Sequence, residues 1–455
     1  MILAQVRSLS DVASELDTTW VIVTGILVMF MQAGFACLEI GFSRGKNVGA
    51  VIAKILVNFS VATLVWWMGG FAVAFGGGAL LAGDSGFFLH IGEHLSAGSP
   101  IAGPLDGAGS GFAFFQLVFC AVSLSIVWGT TLERIRFIAY PIYGVVFAGL
   151  IYPLVAHWIF GGGLLGHVGA GMQDFAGSTV VHLTGATGGL AALLLLGPRE
   201  GKYGPDGRPR AIPGHSMPIF GLGVLILWLG WFGFNPGSTL SATGSRFAEV
   251  VFVTNLAAAA GVLGAAITTA SLTRRLDVGM LGNGAIAALV AITAPSGFVE
   301  FWAAPIIGLV AGVLVVLSVL AIDKVLDDPV GALSAHGVAG IWGTLSCGLF
   351  SSPRLADAPG APGQAGLLYT GSFTQLGIQA AGVVTTFVVV FALSYVTFAA
   401  IKAVFGLRVT PEEEREGLDI AEHGMYGYPE QFIATASLED ELRTLLDDPR
   451  PGGAE

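Results

Sequence analysis

The sequence predicts an all-α protein that crosses a membrane many times. Of its 455 residues, 54% are hydrophobic and only 11% are charged, whereas a soluble globular protein has roughly 25% charged residues. Long apolar stretches recur from Trp20 to Val404, and they approach or exceed the about 20 residues that a helix needs to span the hydrocarbon core. Basic residues collect in alternate loops between these stretches. These observations exclude a water-soluble globular fold.

Glycine- and proline-rich breaks divide the apolar sequence into eleven candidate spans. The breaks include the glycine runs at 76–78 and 161–163 and the proline-containing segment at 205–213, and such segments favour turns over a continuous helix. The candidate spans cover residues 20–42, 47–75, 110–132, 137–159, 176–197, 216–235, 250–273, 278–294, 299–322, 334–350 and 373–404.

The basic residues predict the orientation of the chain, because short cytoplasmic loops collect Lys and Arg. The even-numbered loops and the N-terminal segment contain only Arg7, Arg246 and Arg354. The other loops and their borders contain Arg44, Lys46, Lys54, Arg134, Arg136, Arg199, Lys202, Arg208, Arg210, Arg274, Arg275 and Lys324. With eleven spans, this asymmetry predicts an N-terminus outside and a C-terminus in the cytoplasm.

The chain accordingly divides into three parts. We expect an external N-terminal segment at 1–17, an eleven-helix transmembrane domain at 18–404 and a cytosolic tail at 405–455. The tail contains 13 of the 31 acidic residues but 4 of the 20 basic residues, so the net charge of −11 arises largely there. We expect a multi-pass protein of the cell membrane, in contact with the lipid bilayer and without a nucleic-acid partner.

A short pattern occurs in the fifth candidate span and again in the tenth: a His, a small residue four positions later and a Gly seven positions later. The two copies are His182, Ala186 and Gly189, and His336, Gly340 and Gly343. Five spans separate the copies, so the matching segments cross the membrane in opposite directions, as in an inverted-topology repeat. Small residues at these positions also let helices approach closely.

His182 lies in the middle of its candidate span and His336 just inside its own, whereas His157 lies at a span end. Ionisable groups within a span usually face an interior or a transport pathway. A neutral His hydrogen-bonded to a neighbouring helix is the alternative. Their corresponding positions in the repeat favour a functional pair. His90 and His94 are spaced for one helical face, but no third ligand accompanies them, so no metal site and no cofactor are expected.

Two acidic residues lie at span ends. Asp174 precedes the fifth span, where it can cap the helix or attract a cation, and the two roles are compatible. Glu39 lies near the inner end of the first span and is expected to form an interfacial ion pair with Arg44 or Lys46.

Aromatic side chains offer a π face to a partly desolvated cation. Most of the 30 Phe residues in the chain are expected to serve in packing or lipid contact. Periodicity does not identify those that could contact a cation. The candidates are Phe115, Phe119, Phe160, Trp231 and Phe234.

Six motifs are spread along the chain from the first span into the tail. They are Arg44-Gly-Lys-Asn47, Leu132-Glu-Arg-Ile-Arg-Phe137, Asp174-Phe-Ala-Gly-Ser-Thr-Val-Val-His182, Gly230-Trp-Phe-Gly-Phe-Asn-Pro-Gly-Ser238, Asp327-Asp-Pro329 with His336-Gly337, and Gly406-Leu-Arg-Val409 with Glu414-Arg-Glu-Gly-Leu-Asp419. In this order they resemble the ammonium transporter (Amt) branch of the Amt/Mep/Rh superfamily. The resemblance implies a homotrimer whose subunits each contain a pore, two inverted five-helix halves and a long final helix.

The resemblance also implies roles for individual residues. His182 and His336 match the twin histidines of the family's pore, Phe119 and Phe234 match its phenylalanine gate, and Trp231 matches a pore-lining aromatic residue. The residues that match the outer recruitment site are Phe115, Phe160, Ser238 and Asp174.

Two positions depart from the family pattern. The recruitment site normally has a Trp where this chain has Phe160, and Trp158 lies two residues earlier. A Phe offers a weaker π face and no indole donor, so weaker capture is expected. Gly331 occupies a position where many members have Asp, so support of His336 from the inner side is expected to differ.

The resemblance implies transport of ammonium, with methylammonium as an analogue. The expected route is binding outside, loss of a proton and passage as ammonia, with or without the proton. A membrane ammonium sensor and an Rh-like channel for ammonia or carbon dioxide remain the alternatives. The tail, especially Arg408 to Asp419, resembles a regulatory segment that packs across subunits, and a PII-type regulatory protein is a candidate partner.

Overall fold

The computed structural model describes residues 8–95, 101, 103–358 and 360–429, and within them the regular secondary structure is almost entirely helical. The exception is a pair of two-residue antiparallel strands, β1 (His94–Leu95) and β2 (Gly103–Pro104), in the loop after the second helix. Arg7 and the acidic sequence beyond Pro429, both used in the predictions above, lie outside the described residues.

Eleven helical segments form the body of the described chain. They are α1 (Leu9–Phe42), α2 (Gly45–Phe75), α3 (Gly107–Gly129), α4 (Ala139–His167), α5 (Ser178–Leu196), α6 (Met217–Gly237), α7 (Arg246–Thr273), α8 (Val278–Thr293), α9 (Ala303–Ile322), α10 (333–350) and α11 (Thr374–Phe405). All except α8 and α10 are long and apolar enough to cross a membrane, which makes nine candidate spans among the described residues. The all-helical, multi-span prediction is confirmed, whereas the count of eleven spans stays a prediction.

Helix α1 begins at Leu9, well before the predicted start at residue 20. Ser8 caps it: its Oγ accepts the Asp11 N–H at 3.1 Å, and the Asp11 carboxylate accepts the Ser8 N–H at 3.0 Å. This reciprocal pair satisfies two N–H groups that a helix start leaves free. Because residues 9–19 include polar side chains, hydropathy alone does not predict this part of the helix.

Glycines allow the helices to pack backbone against backbone. A Cβ on Gly41 of α1 would lie 2.5 Å from the Phe220 nitrogen of α6, and one on Gly308 of α9 would lie 2.0 Å from the Ala257 oxygen of α7. Neither position can accept a side chain without separating the helices. In lipid, where apolar burial does not drive helices together, such close contact supplies much of the attraction.

At the basic end of the bundle, buried ion pairs join four interhelical loops. Asp327 accepts three hydrogen bonds from Arg199, from its backbone N, Nε and Nη2, at 2.7–2.9 Å. Glu133 accepts the Nε of Arg44 at 2.8 Å and lies 3.3 Å from Nη1 of Arg199. Arg134 donates to the backbone oxygen of Asp327 at 2.8 Å. The loops before α2, α4, α6 and α10 are therefore held in one network.

The described part of the tail folds onto the same end of its own chain. It forms two short helices, α12 (Pro411–Glu416) and α13 (Leu418–His423). Lys46 donates to the Glu414 oxygen at 2.8 Å, and Asp419 accepts the Ala50 N–H at 2.8 Å. The tail thus contacts the start of α2 through its backbone and through a capping carboxylate.

Asp327 is the central anion of the loop network, and its ionisation reflects the charges around it. Burial alone would raise the pKa of Asp327, but hydrogen bonds from Arg199 and the charges of Arg134 and Arg199 lower it to about 2. The folded state therefore stabilises the carboxylate relative to the unfolded state, in which an Asp has a pKa of about 3.9. This contribution is complete above that value and is lost as the pH falls through the folded pKa.

We expect Asp327→Asn to destabilise the folded protein by about 3–5 kcal/mol, because the change leaves the buried Arg134 without a carboxylate and leaves Arg199 with only Glu133. Thermal unfolding of the purified protein in detergent measures the effect. Asp206→Asn is the matched control: Asp206 pairs with Arg208 at 3.6 Å, but their side chains are 60% and 86% exposed, so no measurable change is expected. Equal unfolding midpoints for Asp327→Asn and the parent would contradict the prediction.

Candidate functional site

The two histidines of the sequence repeat meet inside the bundle. Nδ1 of His182 lies 3.2 Å from Nδ1 of His336, and the ring planes are inclined by 18° with centroids 5.3 Å apart. His182 is fully buried and His336 is 6% exposed. Between two neutral rings, one Nδ1 must donate and the other accept, so one proton lies between the two nitrogens. Nε2 of His182 has no hydrogen-bond partner and is available to another molecule.

Each histidine lies in a π-helical turn at the start of a broken helix. His182 belongs to the turn Ser178–Leu183 and His336 to the turn Leu333–Val338. Such wide turns are rare and are frequent at functional sites. Both turns continue into α-helix, so the two imidazoles lie in equivalent backbone arrangements.

Asp174 organises the first of these turns. Its Oδ1 accepts the N–H groups of Gly177 and Ser178, each at 2.8 Å, and its Oδ2 accepts those of Thr179 and Val180 at 2.9 and 3.0 Å. The carboxylate thereby satisfies the free donors at the helix start. The capping interpretation of Asp174 is thus observed directly.

Asp328 holds the corresponding place in the second half, and the sequence analysis missed this role. Its Oδ2 accepts the Leu333 N–H at 2.7 Å. Asp328 precedes His336 by eight residues, just as Asp174 precedes His182 by eight. The available signal was this Asp-to-His spacing, which extends the repeat toward the N-terminus of both helices.

Aromatic rings cover the histidine pair on one side. Phe119 and Phe234 stack with centroids 3.9 Å apart and planes inclined by 12°, and both are buried. The Phe234 ring lies 5.5 Å from the ring of His182. Trp231 stacks against His182 at 5.4 Å, while its Nε1 donates to Thr293 at 2.9 Å. The side chains predicted as gate and pore lining therefore form one continuous row with the histidines.

Beyond the stacked rings lies a cavity of about 220 Å³. The four side chains predicted for outer recruitment, Phe115, Phe160, Ser238 and Asp174, all line it, together with Phe119. The Ser238 hydroxyl donates to the Phe234 carbonyl at 2.9 Å, so its lone pairs remain free to accept. The cavity combines aromatic faces with oxygen acceptors.

Two further residues refine this cavity. Gln116, which the sequence analysis did not single out, lines it with a buried Oε1 that has no hydrogen-bond partner. Trp158 packs elsewhere, against Leu165 and Met172, and donates to the Leu81 carbonyl at 2.9 Å. Phe160, and not Trp158, therefore supplies the aromatic face at this position.

On the other side of His336 lies a smaller cavity of about 20 Å³. Its apolar lining includes Phe35, Leu227, Ile286 and Val330. Val330 and Asn283 also line a larger cavity of about 400 Å³, to which Gly331 contributes. The two cavities are thus neighbours that share Asn283 and Val330 as lining residues.

Gly331 adopts a positive φ of 73°, which favours glycine. A Cβ here would lie 3.0 Å from Nδ2 of Asn283, which donates to the Val330 carbonyl at 3.2 Å. Backbone conformation and crowding both explain why this chain has no side chain where the family often has Asp.

The expected interfacial ion pair of Glu39 is wrong. Glu39 bonds Lys54, and both side chains are buried. Arg44 pairs with Glu133 instead, and Lys46 donates to the tail. The reason is helical direction: Glu39 projects into the bundle toward α2, whereas the basic residues beyond α1 turn outward to the loop network.

His90 and His94 do not share a helical face. His90 follows a short turn at Phe87–Leu89, and His94 begins β1. Within the described residues, no group of three or more His, Cys, Asp or Glu side chains is arranged to hold a metal ion.

Comparison with known proteins places this architecture in a family. The model of the Ammonium Transporter Family matches residues 19–428. Ammonium transporter Amt2 of Archaeoglobus fulgidus is 44% identical over 430 residues, which cover 92% of this chain and 89% of that protein.

Two solved structures share the fold over most of their length. A structure titled Sensor Amt Protein has a TM-score of 0.82 at 36% identity, covering 91% of this chain and all of the other. Mep2 from Candida albicans has a TM-score of 0.79 at 28% identity, covering 88% and 87%. With the nine apolar helices, these findings identify an integral membrane protein. The chain belongs to the ammonium transporter family.

Proposed function

We propose that this protein transports ammonium by binding it in the outer cavity, removing its proton and conducting ammonia past the paired histidines. One observation carries the proposal: the stacked Phe119 and Phe234 lie directly before two buried imidazoles that contact each other at Nδ1. Only a small molecule that tolerates an apolar passage and can exchange hydrogen bonds with imidazole suits this arrangement.

Capture takes place in the outer cavity. The rings of Phe115 and Phe160 attract the cation through their π faces, and each such contact contributes about 0.5–1 kcal/mol at a partly exposed site. The Ser238 hydroxyl and the unpartnered Oε1 of Gln116 accept its N–H groups. Asp174 adds negative charge at the base, although four backbone donors already occupy its oxygens.

Desolvation decides the form that crosses. Moving a bare ion of this size into a low-dielectric passage costs on the order of 20 kcal/mol in the ideal case, and several kcal/mol after relaxation. Deprotonating an amine of pKa about 10.4 at pH 7 costs about 4.6 kcal/mol. The neutral molecule therefore crosses far more easily. Potassium has no proton to lose and is rejected.

The histidine pair conducts the neutral molecule. With Nδ1 engaged in the mutual contact, Nε2 of His182 is the position at which ammonia gains a hydrogen bond after passing the stacked rings. The role of His336 is equivalent on the inner side. The stacked Trp231 keeps the imidazole of His182 in place.

The transmembrane arrangement extends this proposal. We assign eleven spans, as two inverted halves of five plus the long α11, with the N-terminus outside and the tail in the cytoplasm of a cell. Support comes from the Asp-to-His correspondence between the halves and from the basic loops that share one end of the bundle with the tail. The transport domain is 18–404, with an external segment at 1–17 and a regulatory tail at 405–455.

The family resemblance supports a homotrimer, with methylammonium as a second substrate and a PII-type protein as a regulator. The loop network and α12–α13 form the surface on which such a regulator would dock. The contacts of Glu414 and Asp419 connect this surface to α2 and the neighbouring loops.

A sensor is the second candidate function. The similarity to the solved Sensor Amt Protein and the presence of Phe160 favour it. A sensor binds ammonium with little flux, an Rh-like channel passes ammonia without current, and a transporter accumulates ammonium. Uptake of labelled ammonium and current, recorded on the same proteoliposomes, distinguish the three.

We expect His182→Ala to lower ammonium uptake into proteoliposomes roughly 10–100-fold, because it removes a hydrogen-bonding partner worth about 1.5–3 kcal/mol to a polar group in a dry passage. His167→Ala, which changes an exposed histidine at the end of α4, is the control and should retain parental uptake. Full uptake by folded His182→Ala would refute a route through the imidazole pair.

We expect Phe160→Trp to lower the half-saturating ammonium concentration about 2–5-fold and Phe160→Leu to raise it by a similar factor, since the stronger or weaker π face changes binding by about 0.5–1 kcal/mol. Concentration series of uptake give the value for each variant, while the maximal rate should change little. The same half-saturation for Trp, Phe and Leu would show that this side chain does not contact the cation.

A further inference from the structure

A buried ion pair joins α1 and α2 beside the inner cavity. The carboxylate of Glu39 accepts a hydrogen bond from Nζ of Lys54, and the two side chains are 1% and 0% exposed. Among the described residues, this carboxylate is the sole hydrogen-bond acceptor of the lysine. Charged groups inside a membrane bundle are costly and usually serve a pathway.

One oxygen of Glu39 has no partner. Lys54 engages Oε2, whereas Oε1 is buried without a hydrogen bond. Oε1 lies 3.9 Å from the position of a Cβ on Gly129, and Glu39 and Gly129 both line the inner cavity. A buried carboxylate oxygen without a hydrogen bond is a strong acceptor that a donor in the cavity can satisfy.

The inner cavity connects this oxygen to the histidine pair. Its volume of about 20 Å³ is sufficient for one small molecule, because a water needs roughly 10–15 Å³ on this measure. Glu39 and His336 are the titratable groups among its described lining residues, and Ser125 and Asn283 supply further polar atoms. One water or ammonia there has partners on both sides.

A polar seam continues from the cavity wall into the bundle. The Ser125 hydroxyl donates to Oε1 of Gln32 at 2.9 Å and accepts from Nδ2 of Asn58 at 3.1 Å. Trp128 donates to Oδ1 of Asn58 at 2.7 Å. These bonds fix α1, α2 and α3 against each other beside Glu39, so the carboxylate is held in a defined position.

We propose that Glu39, balanced by Lys54, is the inner proton acceptor of the transport cycle, a role that rests on the proposed transport of ammonium. The proton removed from ammonium passes across the His182–His336 contact and through the molecule in the inner cavity to Oε1. The carboxylate becomes a carboxylic acid. It then returns the proton to ammonia, re-forming ammonium, or to water in the larger cavity lined by Asn283 and Val330.

The charge of Lys54 allows an ionised carboxylate to exist inside the bundle. With Lys54 charged, the pair is neutral when Glu39 is ionised, so the empty acceptor is tolerated between transport events. A proton on Glu39 leaves one net positive charge, which favours its release toward the open inner end. The proton and ammonia thus share the histidine pair and the inner cavity, and Glu39 receives only the proton.

The rival explanation is that the pair only fastens α1 to α2. Glu39→Gln combined with Lys54→Met separates the two roles, because the double variant removes the acid without leaving a buried lysine unpaired. Current and uptake of ¹⁵N-ammonium are measured on the same proteoliposomes, and their ratio gives the charge moved per ammonium. Glu39→Asp tests rescue by a shorter acid. Thr386→Val, at a buried polar side chain of α11 outside the ion pair and the polar seam, is the matched control.

We expect the double variant to lower the charge per ammonium by about ten-fold or more, as loss of a positioned proton acceptor typically costs at least that factor. Glu39→Asp should keep much of the charge, and Thr386→Val should keep the parental ratio. A double variant with the parental ratio, or with current and uptake reduced in proportion, would overturn the role of Glu39.

The parent protein separates this inference from the transport proposal itself. Uptake without current by the parent would overturn the proton route and leave ammonia conduction standing. If the parent shows neither uptake nor current, the proposed transport function fails, and the assignment of Glu39 fails with it. Thermal unfolding of each variant in detergent identifies those that are misfolded, and Glu39→Asp then carries the test.

Discussion

The contact between Nδ1 of His182 and Nδ1 of His336 is the interaction around which the rest of the molecule is arranged. Two polar rings can face each other in an apolar interior only if neighbouring structure fixes both, because a buried polar atom without a partner is costly. Here each imidazole uses one nitrogen to satisfy the other. The remaining nitrogen of His182 stays unpaired, and that deficit is what makes the site receptive to a small hydrogen-bonding molecule.

Bringing the two rings together requires two helices to start inside the protein and cross closely. Asp174 and Asp328 accept N–H groups at these starts, which would otherwise be unsatisfied away from water. The small residues of the repeat permit the crossing: a Cβ on Gly340 would lie 2.7 Å from the Ser178 oxygen, and one on Gly343 would lie 2.7 Å from the Ser178 Oγ. A Cβ on Gly337 would lie 3.3 Å from the Ala186 Cβ, so the first copy also places a small residue at this contact.

These features also explain which parts of the structure the sequence could reveal. Hydropathy and loop charge were sufficient for the helical bundle, and the family motifs brought together the aromatic row, the imidazoles and the outer cavity. Gln116 and Asp328 escaped because a single amide or carboxylate carries no pattern until its helix face is known. Glu39 was paired with its nearest cations in sequence, whereas its partner lies fifteen residues away on the next helix.

The cavities on the outer and inner sides of the histidine pair differ in size and in the chemistry of their lining. The outer cavity, about 220 Å³, presents aromatic faces and neutral oxygens, and its carboxylate, Asp174, is already engaged by four backbone N–H groups. In the proposed cycle, such a site holds a cation loosely enough for it to lose its proton. The inner cavity, about 20 Å³, admits one molecule and has a free carboxylate oxygen on its wall. If both sides carried an unpaired carboxylate oxygen, a cation would bind tightly at each end and release would be slow. Placing that oxygen beyond the dry passage, with Lys54 to neutralise its charge, lets the proton and the amine meet again where ammonium can be solvated.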